Sequence, residues 1–495
     1  MFLSSISSQP AGLRPLFFTE VWERMSYYGM RAMLVLFMVD AIENGGLGIT
    51  DKNAVAIYGI YTAAVYLLAL PGGWIADRLI GARRSVFWGG AIIASGHFTM
   101  AAPGSYSFFI GLMLIAIGTG LLKPNIAGLV SALYSENDRR RDAGFTLFYM
   151  GVNLGAILGP LVCGGLGQSE LFGWHWGFGA AGVGMVLGLI QYKRGEHKLG
   201  DAGLAVSAPY ENPQKAWTII LSGGALLIAI FSAIALGWIN ISPQVLAVYT
   251  AQFISAVFFL YFGYILFFGG LDPKEKKSCY LILTLCIASA IFWSGFEQAG
   301  SSLNLFADRY VDNTIDSLSF TIPSSWYQSL NPTFIVLLAP LYSMLWIWLS
   351  KRFLEPSSPV KFAFGLLLLA AGFAVMIVAA KIVTGGGLAA PYWLVLTYLL
   401  HTMGELCLSP VGLSAISRLS PKSYVGQMMG LWFCASAIGN ILAGLLAGHF
   451  DSESLQDFPD IYMQIVILCG VAGILLLVFS KSLKRLDPSS TKSES

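Results

Sequence analysis

Runs of apolar residues long enough to cross a bilayer recur fourteen times along the chain, and a chain so divided has few ways to fold outside lipid. A helix needs about 20 apolar residues to traverse the hydrocarbon. The runs at 15–42, 54–78, 83–102, 106–130, 143–166, 173–192, 216–238, 244–269, 279–305, 328–350, 360–383, 391–416, 422–448 and 460–482 meet that length between charges or turn residues. Backbone groups in lipid must be bonded within their own segment, so an all-α polytopic membrane protein is expected. Composition agrees, with 56% of the 495 residues hydrophobic and 11% charged. That charged share is about half of what a soluble surface requires. A net charge of +2 offers no polyanion-binding surface, which excludes nucleic acid as a partner. Only the tail from Asp487 is polar enough for disorder.

Cys163, Cys279, Cys286, Cys407, Cys434 and Cys469 fall inside apolar runs without CxxC or CxxH spacing, so they read as small, reduced core residues. The first run contains Glu20, Glu23 and Arg24, unlike the apolar stretch of a cleaved signal peptide, and is expected to stay as a span. Lysine and arginine placement sets the orientation. With both termini inside, 23 of the 29 Lys and Arg residues face the cytoplasm and only Lys52, Arg309 and Lys381 lie outside. The longest polar connection runs from Lys193 to Lys215.

A weak parallel repeat is visible. Pro71-Gly72-Gly73-Trp74, Asp77-Arg78 and Arg83-Arg84 have a counterpart in Pro340-Leu341, Lys351-Arg352 and Lys361. Spans five and thirteen each lead from a basic loop to Gly144 or Gly426 and on to Asn153 or Asn440, and spans four and twelve contain Pro124 and Pro410. Two six-helix halves with two inserted helices follow, which is the major facilitator arrangement, with its substrate site at the midplane between the halves. Gly73-x-x-x-Asp77-Arg78-x-x-Gly81-x-Arg83-Arg84 resembles that superfamily's loop motif between the second and third helices. The domains expected are 1–192, the N-terminal bundle; 193–277, linker and inserted helices; 278–484, the C-terminal bundle; and 485–495, a cytoplasmic tail.

Seven ionisable residues remain within spans: Glu20, Glu23, Arg24, Arg31, Lys123, Glu297 and Glu405. Each charge at mid-bilayer costs at least ~2.5 kcal/mol, so such residues normally face a polar cavity and carry function. Glu20, Glu23, Arg24, Tyr27, Tyr28 and Arg31 follow helical spacing and make one polar stripe. A neutralised pair at a helix end would explain one carboxylate, but not the stripe. Tyr58, Tyr61, Tyr149, Asn153, Asn331, Ser409 and Trp432 complete a lining, although each polar neutral could equally be helix glue. Asn153, among Gly151, Gly155 and Gly159, is balanced between the two roles, and His401 reads as a packed histidine. Three cations face four carboxylates, and the acid left over in low dielectric favours holding a proton. The competition of Glu20 and Glu23 for Arg24 places that proton site. Fixed charges of both signs suit a zwitterion, which an amino acid, short peptide, betaine or zwitterionic drug would supply.

Glu20-Val-Trp-Glu23-Arg24-Met25-Ser26-Tyr27-Tyr28 resembles the ExxERFxYY motif of proton-dependent oligopeptide transporters, with Met25 where that family usually has phenylalanine. Phe148-Tyr149-Met150-Gly151-Val152-Asn153-Leu154-Gly155 resembles its FYxxINxG pattern, and Phe292-Trp293-Ser294-Gly295-Phe296-Glu297-Gln298 its FWxxFEQ pattern. Lys123-Pro124-Asn125, Asn331-Pro332 and the helix insertion extend the likeness over nearly the whole chain. The resemblance implies import of di- and tripeptides with protons by alternating access, driven by the proton gradient without a cofactor. It places Arg24, Arg31 and Lys123 near the peptide carboxylate and Asn153, Asn331 and Glu405 near its amino terminus. Tyr27, Tyr28, Tyr58, Tyr61, Tyr149 and Trp432 then shape side-chain pockets. It also pairs Arg31 with Glu297 as an outer gate and Lys123 with Glu405 as an inner one. A monomer in a bacterial inner membrane is expected, bacterial from the short outer loops and the central helix pair. Relatives on this fold carry anions, and competition of uptake by dialanine against nitrate separates the two cargoes. A membrane enzyme or receptor would need a metal cluster, a nucleophile constellation or a signalling domain, and the sequence offers none of these.

Overall fold

The expected spans fall on helices of the computed structural model, the ninth on a helix that breaks off at Phe296, and the structure describes residues 9–135, 138, 140–206, 209–235, 241–448 and 458–487. Arg139, the end of the seventh span beyond 235, and the tail from 488 with Lys492 lie outside the described residues. The helices are α1 (Leu13–Val39), α2 (Asp51–Ile75), α3 (Ala82–Met100), α4 (Ser105–Ala132), α5 (Arg141–Gly159), α6 (Trp174–Gly195) and α7 (Pro213–Ala235). They continue as α8 (Pro243–Phe268), α9 (Pro273–Phe296), α10 (Leu330–Lys351), α11 (Ser358–Thr384), α12 (Tyr392–Leu419), α13 (Val425–Ala447) and α14 (Phe458–Val478). Among the described residues, 10 helices are long and apolar enough to cross a membrane. The charges in the middle of α1 keep it out of that group. The chain is thus an all-α polytopic membrane protein, its one described sheet being the two-stranded ribbon Thr314–Ile315 with Phe320–Thr321.

Local chemistry explains several helix limits. α9 opens on a capping box, in which the Asp272 carboxylate accepts from the Glu275 amide at 2.7 Å and Glu275 accepts in return from the Asp272 amide at 3.1 Å. Pro273 follows at the first helical position, where its missing N–H costs nothing. The sequence reads one continuous run over 279–305, but the helix stops at Phe296, winds through a tight turn at Glu297–Gly300, and resumes as Ser302–Tyr310. Gln298 holds the break together, donating to Ser294 O and Ala443 O at 3.2 and 3.0 Å and accepting from the Ser302 hydroxyl at 2.6 Å.

The helices fall into two compact units. One unit comprises the chain up to Met33, Asp40–Gly48 and Ala64–Leu246. Glycines seven apart bring α3 and α4 together: a Cβ on Gly89 would meet Gly118 O at 2.8 Å, and one on Gly96 would meet Gly111 O at 2.7 Å. Close approach of this kind replaces the hydrophobic drive that lipid does not supply. Gly159 does the same against α1, where a Cβ would meet Met25 O at 2.7 Å.

The connection after α6 is a strap laid over the α2–α3 turn. Arg83, 6% exposed, donates from Nε to Ala202 O at 2.6 Å and from Nη2 to Gly200 O. The Arg83 amide donates to Gly203 O at 3.2 Å, and Tyr210 donates its amide to Arg78 O at 3.2 Å. Gly203 has φ +69° and a Cβ there would strike Leu129, so only glycine serves.

The other unit comprises Leu34–Val39, Ile49–Ala63 and the chain from Ala247. The first half of α2 belongs to it because Gly59 lies against α13, where a Cβ would meet the Gly444 Cα at 3.1 Å. The six cysteines are buried free thiols.

Candidate functional site

In the first unit the charged stripe of α1 is nearly sealed, with Glu20, Glu23, Arg24 and Arg31 at 3%, 0%, 4% and 9% exposure. Arg24 Nε donates to Glu20 Oε1 at 2.7 Å and lies 2.7 Å from Glu23 Oε2. The second contact is out of hydrogen-bonding direction: among the described residues, both Glu23 oxygens and Glu20 Oε2 are buried without a hydrogen-bond partner. Two buried carboxylates thus share one guanidinium nitrogen. Glycines on α5 make the cluster possible, since a Cβ on Gly155 would run into Val21 O and meet the Arg24 Cβ at 2.7 Å.

Aromatic rings back the cations of the same unit. The Arg24 guanidinium stands 5.9 Å from the Tyr27 ring and that of Arg31 5.7 Å from Tyr28, the two tyrosines meeting edge to face at 5.3 Å. Lys123 Nζ lies 4.2 Å from the Tyr66 ring, a cation–π distance. Tyr66, eight residues beyond Tyr58 on α2, is not among the residues expected from sequence. Pro124 is accommodated within α4, and Asn125 Nδ2 donates to Leu121 O at 2.7 Å. Asn153 is buried and donates to Tyr149 O at 2.9 Å on its own helix. At 100° per residue it points about 160° away from the glycine face of α5, so it is not part of that packing. Tyr149 is 49% exposed.

The second unit joins two further pairs of expected residues. Tyr58, wholly buried, donates its hydroxyl to Glu297 Oε2 at 3.0 Å, and Gly300 is seated so closely on that ring that any Cβ would displace it. Glu297 occupies the break after α9, where its carboxylate is held by a side chain from α2. Asn331 Nδ2 donates to Glu405 Oε2 at 2.9 Å and to the Thr402 hydroxyl at 3.0 Å. The Ser409 hydroxyl, one turn beyond Glu405, is buried without a hydrogen-bond partner among the described residues. Trp432, 4% exposed, fills the space left by Gly412 and meets Phe362 at 6.2 Å. Tyr61 is 4% exposed. His401 packs 4.7 Å from Phe373, the packed histidine that was expected.

An ion pair that sequence reasoning missed closes this set. Arg309 donates from Nη1 and Nη2 to the two Asp51 oxygens at 2.6 and 3.0 Å, a two-pronged geometry stronger than a single contact. The sequence assigned Arg309 only to an outer loop, because 258 residues separate the partners. Arg309→Asp and Asp51→Arg are each expected to lower the thermal stability of the purified protein. The double exchange should restore about 1–2 kcal/mol of it. Equal stability of the single and double variants would show that the pair contributes nothing.

A model of the POT family matches residues 83–462. The peptide transporter YePEPT of Yersinia enterocolitica is 42% identical, over 95% of this chain and 94% of that protein. A di-/tripeptide transporter of Lactococcus lactis is 37% identical, over 97% of this chain and 96% of the other. Among solved structures, the crystal structure of a peptide transporter POT in complex with sulfate superposes with a TM-score of 0.89 at 40% identity, covering 96% of each chain.

Proposed function

The chain belongs to the proton-dependent oligopeptide transporter (POT) family of the major facilitator superfamily, and from that membership we propose that it imports di- and tripeptides together with protons. The observation that carries the proton is the buried pair Glu20 and Glu23 on the single Arg24 nitrogen. Arg24, Arg31 and Lys123 attract the peptide carboxylate, while Glu405, oriented by Asn331, and Asn153 receive its ammonium. Tyr27, Tyr28, Tyr61, Tyr149, Ser409 and Trp432 shape the pockets for peptide side chains. Glu297, with Tyr58 on its carboxylate, and Glu405 act as the proton-sensitive gate residues. Each ligand shifts the balance between two states by its differential affinity for them, which is how a proton and a peptide become coupled.

The membrane is a bacterial inner membrane with both termini on the cytoplasmic side, supported by the lysine and arginine distribution. The protein works as a monomer on the proton gradient alone. Dialanine uptake into proteoliposomes under an imposed pH gradient tests the proposal, with nitrate as competitor. Wild type should accumulate dialanine and be insensitive to nitrate. Glu20→Gln and Glu23→Gln each retain dialanine exchange and lose gradient-driven uptake; accumulation by both variants at the wild-type level would remove the proton site from α1.

A further inference from the structure

The second half of α10 from Ala339 to Trp346, α12 from Leu406 to Arg418, the first turn of α11 and Glu355 before it line a cavity of about 550 Å³ in the second unit. Lys361 is part of that lining. Its side chain is 9% exposed, with Nζ 2.6 Å from Glu355 Oε1 and 4.5 Å from the Trp346 ring. Glu355 and Arg418 stand at the rim, 42% and 46% exposed. Arg418 is held by Asp487 through bonds of 3.1 and 2.9 Å. The Lys361 ammonium keeps the Glu355 carboxyl below the usual carboxylate range.

The cavity is separate from the peptide-recognising residues. Leu406, Pro410, Ser414 and Arg418 line it and follow one another every fourth residue, about 100° round α12 from Glu405 and Ser409. In the internal repeat, Lys361 corresponds to the Arg83 region. There the strap covers Arg83 with the carbonyls of Gly200 and Ala202, whereas Lys361 lines this cavity. Lys361 with Glu355 and Arg418 with Asp487 sum to zero charge. A zwitterion can enter such a set by exchanging partners, whereas a net-charged group would leave a charge unbalanced. The cavity also borders α10, whose opposite face carries exposed Leu337, Leu341, Met344 and Trp348, and a tryptophan among apolar residues at a helix end marks a bilayer interface.

We propose that this cavity binds the headgroup of a zwitterionic aminophospholipid of the phosphatidylethanolamine type, its phosphate on Lys361 and Arg418 and its ammonium on Glu355 over the Trp346 ring. A primary ammonium donates hydrogen bonds to a carboxylate; the quaternary ammonium of phosphatidylcholine has no N–H to donate. Basic pockets between helices at the cytoplasmic side are established lipid headgroup sites in membrane proteins.

Native mass spectrometry of the delipidated full chain, titrated separately with phosphatidylethanolamine, phosphatidylcholine and phosphatidylglycerol, tests this without reference to transport. Wild type should retain one phosphatidylethanolamine at least fivefold more than either of the other lipids. Lys361→Gln should bring its retention down to the phosphatidylcholine level. Ser343→Trp, at an exposed lining position, places a bulky ring in the cavity away from the ion pairs and should do the same at an unchanged unfolding temperature. Equal retention of the three lipids, or wild-type retention by Ser343→Trp, overturns the proposal. So does displacement of the lipid by free phosphoethanolamine or dialanine, which would assign the cavity to a soluble zwitterion.

Discussion

Arg24→Leu should lower dialanine accumulation under a pH gradient by about 100-fold or more and destabilise the protein by about 3–5 kcal/mol, the cost of leaving a buried charge without its partner. The magnitude follows from the sealed geometry. Glu20 and Glu23 are 3% and 0% exposed and share one Arg24 nitrogen, so removing the guanidinium leaves two buried carboxylates without that partner. The chain must protonate them or rearrange α1. Adding Glu20→Gln and Glu23→Gln to Arg24→Leu removes both stranded charges and should return most of the stability while transport stays lost. Uptake into proteoliposomes and thermal unfolding in detergent read the two effects separately. An Arg24→Leu protein as stable as wild type would mean that the carboxylates are not charged when Arg24 is present.

Glu297→Gln should leave dialanine affinity within about threefold and reduce gradient-driven accumulation at least tenfold, to the level of exchange. The reason lies in what glutamine keeps. Tyr58 is wholly buried and donates to Glu297 Oε2 at 3.0 Å, and the glutamine amide oxygen still accepts that bond, which spares the unsatisfied-hydroxyl penalty of ~1–3 kcal/mol. What it loses is the ability to exchange a proton. Dialanine binding by calorimetry and uptake under a pH gradient give the two numbers, and undiminished accumulation would remove Glu297 from coupling.

The sequence made some of this legible and concealed the rest for identifiable reasons. Helix positions followed from apolar length alone, because lipid admits few alternatives to a helix. The α1 stripe was equally readable, since Glu20, Glu23, Arg24 and Arg31 lie on one helix and helical spacing fixes their common face. Pairings across the chain were not. Nothing local to Asp51 points to Arg309, and nothing local to Lys123 points to Tyr66. The break at Glu297–Gly300 was hidden inside an apolar run, because its cause is tertiary: Tyr58 needs the space that Gly300 leaves, and Gln298 supplies bonds that the interrupted helix gives up. The glycine spacing of α5 was visible, but its partner, the backbone of α1 around Val21 and Met25, was not. Asn153 could therefore not be separated from those glycines until the helix was in place.

The strap over Arg83 bears on how the chain is made. The carbonyls that receive this buried guanidinium belong to Gly200 and Ala202, 117 and 119 residues further on. During synthesis the first six helices must therefore be threaded into the bilayer before Arg83 meets its acceptors. Until then the arginine must stay at the membrane surface, in water or among lipid headgroups. Docking of the strap uses no residue beyond Tyr210, so it does not have to wait for α8 to α14 to be translated.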